Sequence, residues 1–156
     1  MGIAITLKEY LREAGVDYEL VKHAPTLDSI QTAIITHVSG KKLAKAVMLE
    51  DTDGRYLLAI IPANKYIDLE KINRQFNIEL ELAAEHELSD VFDDCEPGAI
   101  PVIGEAYGVA VMLDESLTEC SDIYFEGGDH MHLVHLNRQD FSRLMAPAIH
   151  ARFTMP

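Results

Sequence analysis

Residues 43–62 read LAKAVMLEDTDGRYLLAIIP, two apolar runs on either side of Asp53-Gly54. Apolar runs joined by Asp-Gly predict a β-hairpin, because a two-residue type I′ turn needs φ > 0 at both central positions and this pair tolerates it. The second arm, Tyr56 to Ile61, is apolar at every position, so both of its faces must be covered and it belongs inside a sheet. In the first arm Lys45, Val47 and Leu49 share one face, while Ala44, Ala46, Met48 and Glu50 share the other. Lys45 is the odd member. A lysine there either snorkels to water at the strand's end or stands as a fixed cation beside a cleft. In a cleft it would meet a phosphate or carboxylate and, if desolvated, could act as a base.

Outward from the hairpin, the pattern alternates between helix and strand signals. Upstream, Thr6 and Glu9 form a capping box for a helix with stripe Leu7, Tyr10, Leu11 and Ala14, stopped by Gly15. Val16, Tyr18 and Leu20 alternate as a short strand. Asp28 with Gln31 opens a second helix whose apolar face is Ile30, Ala33, Ile34 and Val38, ended by Gly40. Downstream, Ile67–Phe76 reads as a helix capped by Asp68. Ile78, Leu80 and Leu82 read as a strand, and Ala84–Phe92 as a helix. Residues 93–104, DDCEPGAIPVIG, are a loop with two glycines and two prolines. Strands follow at Tyr107–Leu113, Ile123–Glu126 and Leu133–Leu136. Asn137 then caps a last helix, Arg138–Met145, closed by Pro147. Strands outnumber what simple βαβ alternation would give, which predicts one α+β domain with a mixed sheet over residues 1–156.

The 156-residue chain is long enough for a core without staples. Its net charge of −13 argues against broad, sequence-independent nucleic-acid binding, so any polyanion must meet a local patch. Cys95 and Cys120 lie 25 apart with no CxxC, which reads as reduced thiols rather than a bridge. The N-terminus MGIAITLKEYLREAG lacks a basic n-region, and no run reaches the ~18 apolar residues of a membrane span. A cytoplasmic protein without a membrane partner is expected.

Two further segments could carry chemistry. In Glu96-Pro97-Gly98-Ala99-Ile100-Pro101-Val102, a glycine and flanking prolines could present successive N–H groups to an anion or a developing oxyanion, or form an ordinary turn. In Gly127-Gly128-Asp129-His130-Met131-His132, followed by His135, three histidines invite a metal. A strand, however, sends 130 and 132 one way and 135 the other, and no thiol or carboxylate sits at zinc-finger spacing. His130, after a Gly-Gly-Asp turn, reads better as a hydrogen-bond donor at a cleft's rim. There is no GxSxG, P-loop, GxGxxG or HExxH.

Taken in order, the lysine of LAKAVMLEDTDGRYLLAIIPANKYIDLEKI, the loop PGAIPVIGEAYGVAVMLDESL, YFEGGDH and the capped last helix resemble the YbaK / prolyl-tRNA-synthetase-associated domain family. The resemblance runs from about residue 6 to 146. It implies an α+β fold with a mixed, partly barrel-like sheet flanked by helices around a pocket. It also implies metal-free, cofactor-free hydrolysis of the ester joining a wrong amino acid to the tRNA 3′ end, acting in trans. By the same resemblance Lys45 meets the 3′-terminal adenosine, the amides of Gly98, Ala99 and Ile100 hold the ester carbonyl and oxyanion, and Thr26, Pro101 and His130 line the pocket. The substrate's own 2′-hydroxyl would help activate water. Two positions depart from the family pattern: proline falls at Pro101 with Val102 after it, and Ala46 follows the lysine where relatives often carry a polar residue. A non-catalytic module of the same fold that binds the tRNA end, and a synthetase partner, remain open alternatives at this point.

Overall fold

A computed structural model describes residues 2–156. Helix α1 (Ile5–Glu13) buries Leu7 and Leu11 and leads into edge strand β1 (Glu19–Lys22). Helix α2 (Ser29–Thr36) follows, then the hairpin β2 (Leu43–Glu50) and β3 (Tyr56–Pro62). A two-residue strand β4 (Tyr66–Ile67), helix α3 (Leu69–Phe76), strand β5 (Glu81–Leu82) and helix α4 (Glu85–Val91) come next. Two 3₁₀ turns flank β6 (Ala110–Asp114), after which β7 (Asp122–Glu126), β8 (His132–Asn137) and α5 (Arg138–Leu144) follow. Strands β9 (Ile149–Ala151) and β10 (Thr154–Met155) end the chain.

One mixed sheet carries the order β1-β8-β7-β2-β3-β6-β9, with β5 added to β2, while β10 pairs β4 in a separate ribbon. The hairpin is central: β3 is antiparallel to β2 and parallel to β6, and its Leu58 to Ile61 are at most 1% exposed. Both sheet faces are covered. Met48, Leu58, Ile60 and Phe125 pack beneath α1 and α5, whereas Leu49, Ala59, Ile61 and Phe153 pack on the other side with α3. This is the α+β mixed-sheet arrangement expected from the sequence.

Several local expectations are corrected. The hairpin turn is three residues long. Asp51 donates its amide to the Arg55 carbonyl, and Gly54 alone takes φ +80°, so Asp53 stays out of the left-handed region. Helix α1 starts one residue before Thr6 and has no capping box; the Thr6 amide is capped from far away by Asp94 Oδ2 at 2.9 Å. Helix α2 is capped by Asp28 as expected, but only half of its expected apolar face is inward: Ala33 and Val38 pack against a buried cluster. Thr32 is its buried residue, whereas Ile30 and Ile34 are 48% and 67% exposed. The Thr32 hydroxyl donates to the buried carboxylate of Glu126, so the inner face is centred on Thr32 and Ala33 and leaves Ile30 and Ile34 outside. The helix also ends at left-handed His37, before Gly40. The strand expected over residues 107–113 begins only at Ala110, because Gly104–Tyr107 winds into a 3₁₀ turn.

Candidate functional site

The site begins with a gap in the sheet. On its outer edge β2 pairs β7 only at Leu43 and Ala44, and β5 only at Leu49 and Glu50, so residues 45–47 meet no strand there. In an antiparallel hairpin both polar groups of a residue point to the same side. Leu43 accepts from Ala63 beyond β3, and Met48 accepts from Ala83 next to β5, so by alternation the N–H and C=O of Ala46 face the gap. A cavity of about 160 Å³ occupies this place, lined by Ser29, Ala44, Lys45, Ala46, Glu85, Leu88, Gly98, Ile100 and Glu126. Larger depressions lie elsewhere: one of about 310 Å³ beside Lys41 and Cys120, and one of about 450 Å³ beside Asp93 and Asp129. The first is lined by Lys41 and Lys65 but by no residue of the 96–102 loop, and the second by no lysine or arginine, so the smaller cavity is the one that brings a half-buried cation to that loop.

Lys45 is half-buried, and its ammonium lies 5.6 Å from the centroid of the Tyr66 ring. Burial pushes its pKa below the ordinary lysine value, and the Asp28 carboxylate partly offsets this. Among the described residues no carboxylate pairs directly with it.

The loop after α4 supplies the opposite wall. It is tied at both ends: Glu96 N–H donates to the Gly128 carbonyl at 2.7 Å, and Asp94 accepts from the Tyr107 hydroxyl at 2.7 Å as well as from Thr6. Asp129 closes the β7–β8 turn by accepting from the amides of Met131 and His132, both at 2.9 Å. That turn holds His130 at φ +61°, with Nε2 donating to the Pro97 carbonyl. Gly98 then turns with φ +82°, and a Cβ there would come within 3.2 Å of the His130 ring. The loop is thus clamped by a histidine on one side and a glycine-only backbone on the other.

Ala99 is fully buried and its amide donates to the Glu96 carbonyl at 3.1 Å, so it is not available to an incoming carbonyl, contrary to expectation. Among the described residues the amides of Gly98 and Ile100 make no such bond. Pro101 is buried behind the loop and is not part of the cavity lining. Thr26 is also one layer back, with its hydroxyl 2.6 Å from that of Thr32. His130 meets the loop rather than the cavity wall. Lys45, Gly98 and Ile100 are therefore brought together, while Ala99, Thr26, Pro101 and His130 support them.

The sequence reading missed Glu126 and His23. Glu126 ends β7, is 6% exposed, and accepts from the Thr32 hydroxyl at 3.1 Å. Burial pushes its pKa upward, opposed by His23, 3.8 Å away, and by Thr32. A carboxylate closing the apolar run DIYFE was the available signal; its partners lie about a hundred positions upstream, where spacing cannot reveal them. The two histidines that follow His130 in the sequence are occupied: His132 Nδ1 bonds Asp129 at 2.6 Å, and His135 Nε2 bonds Asp122 at 2.7 Å. Among the described residues no three metal-ligand side chains converge.

The model of the aminoacyl-tRNA editing domain matches residues 23–144, more than three quarters of the chain. The chain belongs to the aminoacyl-tRNA editing domain family. No curated protein matches it. Solved structures share the editing-domain fold at low identity. The crystal structure of hypothetical protein APE2540 has TM-score 0.84 at 18% identity, covering 96% of this chain and 99% of that one. A candidate trans-editing enzyme for prolyl-tRNA synthetase has TM-score 0.82 at 18% identity, covering 97% and 96%. A signal-transduction candidate from Marinobacter aquaeolei has TM-score 0.77 at 20% identity and contains the fold within a longer chain, covering 97% of this chain and 31% of that one.

Proposed function

We propose that the protein is a trans-acting aminoacyl-tRNA deacylase, hydrolysing the ester of mischarged tRNA in the cytoplasm without a metal. The reading is carried by one observation. In a chain of the editing family, the half-buried Lys45 lines one cavity together with Gly98 and Ile100, two loop residues whose amides no main-chain carbonyl engages among the described residues.

Lys45 pairs with the phosphate of the terminal adenosine and fixes the substrate's register, as a point charge on a flexible stem can do. The ester carbonyl lies against the Gly98 and Ile100 amides. Water adds its oxygen to the carbonyl carbon, the oxyanion is held by the two N–H groups, and the carbon–oxygen bond to the ribose breaks. The proton lost by water reaches the departing ribose oxygen by way of the neighbouring 2′-hydroxyl. One main-chain donor of this kind is worth ~10²–10³ in rate. A cavity of about 160 Å³ walled by Ala44, Ala46, Leu88 and Ile100 suits a small acyl group. A synthetase whose small-amino-acid errors it clears is the natural functional partner.

Purified protein is offered tRNAs charged with alanine, cysteine and serine, and release of the amino acid is timed. Turnover of at least one is expected, with Lys45→Ala lowering kcat/KM at least ~10²-fold. Binding of charged tRNA with no turnover of any would replace this reading with a non-catalytic tRNA-end-binding module.

A further inference from the structure

We propose that Glu126 is the acceptor for the substrate's α-ammonium group, so that the cavity requires a free amine as well as a small side chain. The inference rests on the deacylase reading above and adds a recognition element to it.

The carboxylate of Glu126 is buried and underserved. Its Oε1 faces the Thr32 hydroxyl at 3.1 Å, but that hydroxyl has a single hydrogen and also lies 3.0 Å from the Asp28 carbonyl. The Thr26 hydroxyl, 2.6 Å from Thr32, adds no bond to Glu126. Oε2 has no partner among the described residues. His23 does not repair this. Its Nδ1 lies 2.7 Å from the Ala24 carbonyl, which can only accept, so Nδ1 carries the proton. Its Nε2 is also without a partner and lies 3.8 Å from Glu126 Oε1, beyond hydrogen-bonding distance. Lys45 lines the same cavity without pairing with it.

Buried carboxylates are costly unless paired, and groups left open in a native fold call for an explanation. The rest of the wall narrows the answer. Ala44, Ala46, Leu88 and Ile100 offer apolar side chains suited to a small aliphatic or thiol-bearing group. Glu85, the other carboxylate of the lining, is exposed and hydrated. An aminoacyl ester brings one cation, the ammonium on the carbon next to its carbonyl. With the carbonyl at Gly98 and Ile100, Glu126 is the buried acceptor within the same cavity, and the arriving ammonium supplies the hydrogen-bond donor that Oε2 lacks.

The test measures binding of two non-hydrolysable probes by calorimetry: 3′-alanylamido-3′-deoxyadenosine and the lactyl analogue with hydroxyl in place of ammonium. The wild-type protein should bind the alanyl probe at least about tenfold more tightly, the least expected of a charge-assisted hydrogen bond. Glu126→Gln should abolish the preference, with the loss of affinity falling mainly on the alanyl probe. Equal wild-type binding of both probes overturns the proposal without any variant, and so does a preference that survives in a folded Glu126→Gln protein. If the wild type deacylates tRNA yet shows no preference, this inference alone falls. If it neither binds a probe nor hydrolyses any charged tRNA, the deacylase reading falls and takes this one with it.

Discussion

Replacing Gly98 with alanine separates the backbone's contribution from the side chains'. With φ +82°, Gly98 occupies the left-handed region, where an L-residue pays roughly 1–2 kcal/mol. The new methyl carbon would also sit 3.2 Å from the His130 ring, a few tenths of an ångström too close. The ring cannot retreat without loosening its bond to the Pro97 carbonyl. At ~2–4 °C per kcal/mol for a chain of this size, the backbone term alone lowers Tm by about 2–8 °C. Displacing the loop amides should lower deacylation by ~10²-fold. Gly54→Ala is the control: its φ is +80°, but the nearest atom to a new Cβ is Glu50 Oε1 at 3.9 Å, far from the cavity. It should lose comparable stability and no activity. Thermal unfolding and single-turnover deacylation are read on both variants. Parallel behaviour in the two assays would refute the assignment of the 96–102 loop as a wall of the site.

Three other outcomes follow from the structure. The Lys42 ammonium, 2.7 Å away, holds the Asp122 carboxyl below its usual range, helped by His135, so its stabilisation is present above the unfolded carboxylate pKa of about 4 and disappears as pH falls through the lower folded value. Because the pair is partly exposed, Asp122→Asn should cost up to ~1 kcal/mol at pH 7, a urea-midpoint difference that closes toward pH 2; a gap that widens there contradicts it. Burial pushes the Cys95 thiol up to about 12, and Cys120 is shifted the same way, so native protein at pH 8 should resist iodoacetamide at Cys95 until it is unfolded, as mass spectrometry would show. Thr32→Val removes the only hydroxyl reaching Glu126 and should destabilise by ~1–3 kcal/mol in denaturant titrations, whereas a neutral result would mean that the network is dispensable.

The parts of the fold written in neighbouring residues were legible. Asp28, Asp68 and Asn137 cap their helices because a side-chain oxygen and an amide three positions on are enough to do it. The two-faced apolar arm Tyr56–Ile61 announced a central strand for the same local reason. Lys45 stood out as an ammonium in an apolar strand, and Gly98 as a turn in a loop. What depended on distant residues was hidden: Asp94 serving the Thr6 amide, and Glu126 reaching the Thr32 hydroxyl. The short strands β9 and β10 left no pattern, because two or three residues are too few to show a period. Helix α2 is the clearest lesson, since a hydroxyl bonded to a distant carboxylate shares the inner face with Ala33 while Ile30 and Ile34 stay outside.

The interruption along β2 carries a consequence for engineering. Residues 45–47 leave ladder bonds unmade in the middle of a sheet, a local deficit that the remainder of the fold tolerates. Extending β5 by three residues in the same register would let it reach Ala46 and is expected to yield a sturdier molecule. The added strand would also cover the open edge of Ala46 and fill the cavity beside it, so selection for heat resistance alone would close the site that the proposed activity needs.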